Sequence, residues 1–241
     1  MSVNAAVTGK ISRKTIDTIF NALKTAISTK CDDLLFDDFG ISGRAIETNI
    51  VIIQPMDAGT FEFDAMGLGR IPDLFARMKL VIDDPTLTAS FEEFREGIVG
   101  SLHFKTKKTK FSFRCKNAAM IKTNKKLKDA VAYSFDLNGD AIRFMTTGSA
   151  AMRNKSVTFK LVDGEVVIRL IDSEGDVLDH VVTDTVEIHD DGGDAFSHTY
   201  DMPKLAPLLN AHKENTTVNI TTRGIMNLSS DGFNIYLVAD L

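Results

Sequence analysis

The sequence predicts an α+β protein of two similar domains, each with two amphipathic helices packed on antiparallel sheets. Three observations predict it. Only four stretches carry the 3–4 residue apolar period of a helix, while many short runs alternate or cluster apolar residues as strands do. The same order, a long helix, several strands, a short helix and more strands, occurs twice as a repeat of pattern and not of residues. The length of 241 residues suits two domains of about 120. The predicted boundaries are a first domain over 1–117, a connector over 118–130 and a second domain over 131–241.

In the first half, Ser12 is a good N-cap, and Ile16, Ile19, Phe20, Leu23 and Ile27 form one apolar helix face. Lys14, Thr18, Asn21, Lys24 and Thr25 lie opposite. Strands are expected over 34–40, 42–48 and 50–55, and Thr60–Asp64 alternates as a half-buried strand does. Ile71, Leu74, Phe75 and Met78 define a second helix, with Arg70, Asp73 and Arg77 on its wet side. A hydrophobic strand then runs into Asp83 and Asp84. Further strands are expected near 86–91, 98–104 and 110–116.

In the second half, Val131–Leu137 alternates, and Asn138 caps a helix running to about Arg153. Strands at 156–162 and 165–171 are joined by Asp163–Gly164, a hairpin signal. A strand pair is expected over 177–189 and another strand over 196–200. Asp201 then caps a short helix whose face is Met202, Leu205, Leu208, Leu209 and His212. Strands at 216–222, 224–229 and 233–239 follow.

Apolar residues make up 44% and charged residues 25%, values of an ordinary globular chain and not of a disordered or collagen-like one. No run approaches a membrane span of about 20 apolar residues, and the N-terminus lacks the apolar core of a signal peptide. Cys31 and Cys115 lie far apart and read as reduced buried thiols, expected in a cytoplasm-like compartment. The net charge of −5 argues against a simple basic DNA-binding module. That average hides a polarity: residues 105–128 carry ten Lys/Arg and no Asp/Glu, and residues 172–201 carry ten Asp/Glu and no Lys/Arg. Such blocks can pair with each other or face opposite partners.

Signatures of catalysis are not found. The histidines at 103, 180, 189, 198 and 212 have no HxxxH or HExxH spacing, and His189-Asp190-Asp191 reads as an acidic solvated loop. Gly67-Leu-Gly69 starts like a dinucleotide loop, but Pro72 stands where the third glycine belongs. No acid–base pair is identifiable, so neither an enzyme nor a cofactor or metal is expected.

Two stretches carry a family signal. Phe61–Asp84 runs from a strand through a short helix into an apolar segment ending in paired aspartates. The C-terminal third, Tyr200–Leu209, Thr217–Arg223, Gly224–Leu228 and Gly232–Leu241, repeats strand, short helix and strands. Both resemble the DNA polymerase sliding clamps, especially the processivity factors of T-even-type bacteriophages. The resemblance implies a non-enzymatic homotrimeric ring around duplex DNA, with helices lining the hole and sheets outside. It also implies an ATP-dependent clamp loader and a DNA polymerase tethered by its C-terminal peptide.

Three sets of residues follow as expectations. Arg13, Lys14, Lys24, Arg70, Arg77, Arg143 and Lys204, opposite the apolar stripes, would face DNA phosphates without regard to sequence. In the family, the last strand of the first domain pairs with a strand of the neighbour's second domain, here about 110–116 with 177–183. Lys107, Lys108, Lys110 and Arg114 would then face Asp176, Asp179 and Asp184 across subunits. Met120, Ile121 and Leu127 of the connector, with Leu237 and Val238, would line an apolar pocket for the partner peptide. Two other readings stay open. One is a single-stranded nucleic-acid binder using the basic 105–128 tract with Phe104, Phe111 and Phe113 as stacking groups. The other is a structural virion or assembly protein.

Overall fold

The structure, a computed structural model, describes residues 8–123, 129–182, 186–189, 196–211, 216–230 and 232–239. The chain divides into two compact units, one of Met1–Glu47 with Val51–Lys125 and the other of Thr48–Ile50 with Lys126–Leu241.

The first unit runs β1 (Thr8–Ile11), α1 (Arg13–Ser28), β2 (Asp33–Asp37), β3 (Gly40–Ala45), β4 (Ile50–Pro55), β5 (Ala65–Leu68), α2 (Ile71–Lys79), β6 (Thr88–Arg95), β7 (Ile98–Lys105) and β8 (Lys110–Arg114). Its strands lie in the order β1-β6-β7-β5-β2-β3-β4, with β8 pairing on β7. Ser12 caps α1: its Oγ accepts from the Thr15 amide at 3.2 Å. Glu62 completes the cap by accepting from the Ser12 amide (3.0 Å) and the Thr15 hydroxyl (3.2 Å). Burial works to raise the Glu62 pKa, but the hydrogen bonds from Ser12 and Thr15 outweigh it and hold the carboxyl below its usual value. The buried stripe of α1 is Ile16, Ile19, Ala22, Leu23 and Ala26. Ile27, expected on that stripe, is 37% exposed because it falls at the rim of the last turn. α1 and α2 lie side by side, with Phe20 stacked on Phe75 at 5.2 Å between ring centroids.

Two expected strands are absent here. Residues 61–64 form bends, and β5 starts only at Ala65. Their alternation reports aromatic packing instead of pairing: Phe61 stacks on Phe63 (5.4 Å), Phe61 meets Phe36 edge-on (5.6 Å), and Phe63 meets Phe91 likewise (5.7 Å). The apolar segment before Asp83 is a turn. The Val81 and Ile82 amides both donate to the Met78 carbonyl (2.9 and 2.8 Å), so the chain keeps curling after α2 and buries both side chains. Gly67 also finds its reason: a Cβ there would lie 2.5 Å from the Lys116 carbonyl oxygen, so the glycine admits a crossing backbone. Beyond β8, a 3-10 turn at Ala118–Met120 packs back on the unit, where Ala118 and Ile121 form a small cluster with Leu35.

The second unit runs β9 (Val131–Leu137), α3 (Gly139–Ala151), β10 (Ser156–Val162), β11 (Glu165–Ile171), β12 (Val177–Val182), β13 (Glu187–Ile188), β14 (Ser197–Asp201), α4 (Met202–Ala211), β15 (Thr216–Thr221), β16 (Ile225–Ser230) and β17 (Phe233–Val238). It has two sheet layers, β17-β16-β15-β9-β13 and β12-β11-β10-β14. Aromatic rings tie the layers together: Tyr133, Phe135, Phe159 and Tyr200 follow at 6.1, 5.8 and 5.7 Å, and all four are buried. The Tyr200 hydroxyl donates to the Gly224 carbonyl at 3.2 Å, giving the buried polar atom a partner. Asn138 caps α3 by accepting from the Ala141 amide at 2.8 Å. Gly148 lets α3 ride close on its sheet, since a Cβ there would stand 2.8 Å from a Leu170 methyl. The expected pair over 177–189 is corrected: β12 pairs with β11, while β13 pairs with β9 in the other layer. One apolar run thus serves two sheets, a partition that alternation cannot reveal.

Candidate nucleic-acid interface

The cations of the first unit stand mainly on its two neighbouring helices. Lys14 and Lys24 are exposed on α1, and Arg77 is exposed on α2. Lys79, outside the expected set, ends α2 on its exposed side and lies 5.7 Å above the Phe75 ring. Its position one residue past the buried Met78 was the signal for it. Arg13 is more tethered: its guanidinium donates to the Asp17 carboxylate (3.0 Å) and to the Ile82 carbonyl (2.6 Å). Arg70 is not on the helix. It precedes α2 in the left-handed region (φ 50°), its guanidinium 4.6 Å over the Phe113 ring and bonded to the Arg114 carbonyl at 3.1 Å.

The second unit offers fewer. Arg143 on α3 is 79% exposed and pairs with Asp140 at 3.5 Å. Lys204 on α4 is 3.5 Å from Asp201. The exposed Arg143–Asp140 pair contributes about 0–1 kcal/mol, and in both pairs the carboxylate offsets the field of its cation.

The two charged strands are sheet edges among the described residues: β8 pairs with β7, and β12 with β11. Lys107 and Lys108 sit in the hairpin turn before β8, where the Thr106 hydroxyl accepts from the Lys108 and Thr109 amides (3.2 and 2.9 Å). Lys110 and Arg114 are exposed on the strand itself. On the other edge, Asp176 is exposed in the turn before β12. Asp179 is already engaged: Arg169 on β11 holds it bidentately at 2.7 and 2.6 Å, and this pairing keeps its carboxyl below the ordinary carboxylate range. Asp184 lies outside the described residues. The β12 edge is also apolar, with Val177, Leu178 and Val181 exposed by 51, 40 and 40%. Open, apolar strand edges are templates for pairing with another chain.

The peptide-pocket set divides by burial. Ile121 and Leu237 are core residues, 8 and 1% exposed. Met120 and Val238 are surface residues, 68 and 47% exposed. Leu127 lies outside the described residues. The stacking groups of the single-strand reading are corrected: Phe104 and Phe113 are 0 and 1% exposed, and Phe111 stacks on Phe104 at 4.8 Å. Phenyl rings packed into the core cannot receive bases. The alternation of the Phe111–Arg114 run instead puts the cations outside and the rings within.

Burial disfavours the thiolate at both cysteines. Burial pushes Cys31 and Cys115 up to about 12. Among the described residues, no group of three or more His, Cys, Asp or Glu side chains could hold a metal. Asp190 and Asp191, beside His189, lie outside that set. No described helix is long and apolar enough to cross a membrane.

Solved structures share this arrangement along the whole chain. A PCNA of A. fulgidus, solved with the C-terminal region of FEN-1 bound, matches at TM-score 0.63 and 14% identity, over 97% of this chain and 98% of that one. The PCNA of Entamoeba histolytica matches at TM-score 0.65 and 11% identity, over 99% and 100%. The DNA polymerase β subunit of Streptococcus pyogenes matches at TM-score 0.68 and 13% identity, over 99% of this chain and 66% of that one. At such identities the likeness establishes the fold, a mixed α+β architecture shared with PCNA and β-subunit chains. No protein-family model and no curated protein sequence matches the chain.

Proposed function

We propose that this chain is a sliding clamp that encircles duplex DNA and tethers a DNA polymerase. The observation that carries the reading is a clamp fold spanning the whole chain, with the exposed sides of α1 and α2 bearing cations in a protein of net charge −5. Phosphate contacts from flexible lysines and arginines are blind to sequence, as sliding requires. Enclosure, and not grip, then provides retention.

The finer reading is a homotrimer closed head to tail. The basic β8 edge of one copy would meet the β12 edge of the next, burying Val177, Leu178 and Val181 and setting Lys107, Lys108, Lys110 and Arg114 near Asp176. Asp179, held by Arg169, would contribute apolar stem and shape more than free charge. Met120 and Val238 are the exposed members of the peptide-pocket set and the ones offered for a polymerase C-terminal peptide. A PCNA relative binds the C-terminal region of FEN-1, and the same mode would serve here. Loading onto closed DNA would need an ATP-dependent loader. The phage-type assignment rests on the stretches Phe61–Asp84 and Tyr200–Leu241 alone.

Native mass together with retention on DNA tests the proposal. A species of three chains that is held on circular duplex and lost when the circle is cut is expected. A monomer, or equal retention on cut and closed DNA, overturns it.

A further inference from the structure

The first unit carries a second charged site, on the sheet instead of the helices. β1, β6, β7 and β8 lie side by side, and their register sets Lys10, Ser90, His103 and Ser112 in one row across the four strands. In the next row Thr88 stands opposite Lys105, and Lys105 opposite Lys110. These residues share one face, because the alternate positions Ala89, Phe91, Leu102, Phe104 and Phe113 are buried on the other. Short hydroxyl side chains thus lie between long cationic ones.

A cavity of about 790 Å³ opens here, lined among others by Lys10, Arg13, Lys105, Lys110, His103 and Ser112. Four fixed cations line it against one carboxylate, Glu92. That carboxylate is engaged: it accepts from the Ser101 hydroxyl at 3.2 Å and lies 3.4 Å from His103 Nε2. His103 Nδ1 in turn lies 2.7 Å from the Ser112 hydroxyl, which fixes the ring in the floor of the site. Arg13 is held by the Ile82 carbonyl and forms a wall, while Lys10, Lys105 and Lys110 supply the mobile charge. A concave site of one sign focuses its field on an incoming anion. The phenyl ring of Phe104, among the lining residues, is fully buried and out of reach of a nucleobase.

We propose that this cavity binds an oligophosphate, two or more linked phosphate groups held by Lys10, Lys105 and Lys110. The chemistry recognises the phosphate chain alone, whether free or carried by a nucleoside. The site lies within the first unit and does not rest on the clamp reading.

Calorimetric titration of the full chain at physiological salt, with inorganic triphosphate, a nucleoside triphosphate and a short oligonucleotide, tests it. The two triphosphates are expected to bind with affinities within about threefold of each other. The double variant K10A/K105A should weaken both by about tenfold or more, with circular dichroism and native mass unchanged. Lys105→Arg should retain binding, because the charge is kept. No binding of inorganic triphosphate, or undiminished binding in K10A/K105A, overturns the proposal. So does a nucleoside triphosphate that binds where the inorganic one does not, or a double variant that loses the oligonucleotide alone, which would assign the face to a nucleic-acid backbone.

Discussion

The two units repeat one order of elements and differ in almost everything they show to solvent. α1 of the first is capped by a hydroxyl backed by the Glu62 carboxylate, and α3 of the second by the neutral Asn138 amide. The first presents exposed lysines and arginines on two adjacent helices, whereas Arg143 and Lys204 of the second stand beside carboxylates. The β8 edge is basic and polar, and the β12 edge apolar and acidic. The cores differ too: one is closed by the bent Phe61–Phe63 segment, the other by aromatic rings linking two layers. The lesson is that a fold can be duplicated by its apolar periodicity alone, leaving each copy free to specialise its surface.

The largest expected effect asks whether the units are separate at all. All three tyrosines, Tyr133, Tyr200 and Tyr236, belong to the second unit, and the chain has no tryptophan, so intrinsic fluorescence reports that unit. Phe159→Ala should destabilise it by about 3–5 kcal/mol and move the fluorescence transition in urea to lower denaturant. Phe36→Ala should destabilise the first unit comparably, seen by circular dichroism, and leave the tyrosine transition in place. If both variants move it equally, the two units unfold as one.

The edges come next. A lysine at a strand edge discourages pairing, so Val181→Lys should weaken self-association at least about tenfold in sedimentation while leaving secondary structure intact. Lys110→Glu on the opposite edge should weaken it less, by an amount that shrinks in high salt. A variant whose mass distribution matches the parent would remove β12 from the interface.

A smaller difference is expected between the helix faces. Lys24→Glu with Arg77→Glu should lower the salt dependence of DNA association, by about 0.9 in the log–log slope for each phosphate no longer neutralised. Arg143→Glu should change it less, because Asp140 already offsets that charge. Equal slopes for the two would contradict the asymmetry between the units.

The smallest effect concerns pH. The folded Glu62 carboxyl lies below its ordinary 4.5. Its bonds to Ser12 and Thr15 therefore stabilise the α1 cap fully above pH 4.5, and that contribution is lost as the pH falls below it. The α3 cap accepts from the Ala141 amide through the Asn138 side-chain amide, which does not titrate. Hydrogen exchange at the Ser12 amide should accelerate on acidification relative to that at Ala141, beyond the intrinsic change, and Glu62→Gln should abolish the difference. The energy is under about 1 kcal/mol for so exposed a group.

What the sequence determined was local. Ser12 and Asn138 as caps, the faces of α1, α2 and α4, the Asp163–Gly164 hairpin and the closing strands were all readable, because capping and amphipathic burial act over three or four residues. The opposed charge blocks were readable for the same reason, as composition along a short stretch. The tertiary structure alone decided the rest. Apolar alternation at 61–64 became packing, the apolar run before Asp83 became a turn, and 177–189 was shared between two layers. It also decided that Ile121 and Leu237 are core, that Asp179 is taken by Arg169, and that Lys10, Lys105 and Lys110 line one cavity. Each of these depends on which distant strand supplies the hydrogen-bond partners. Alternation records only that a side chain is buried, and is the same whichever neighbour buries it.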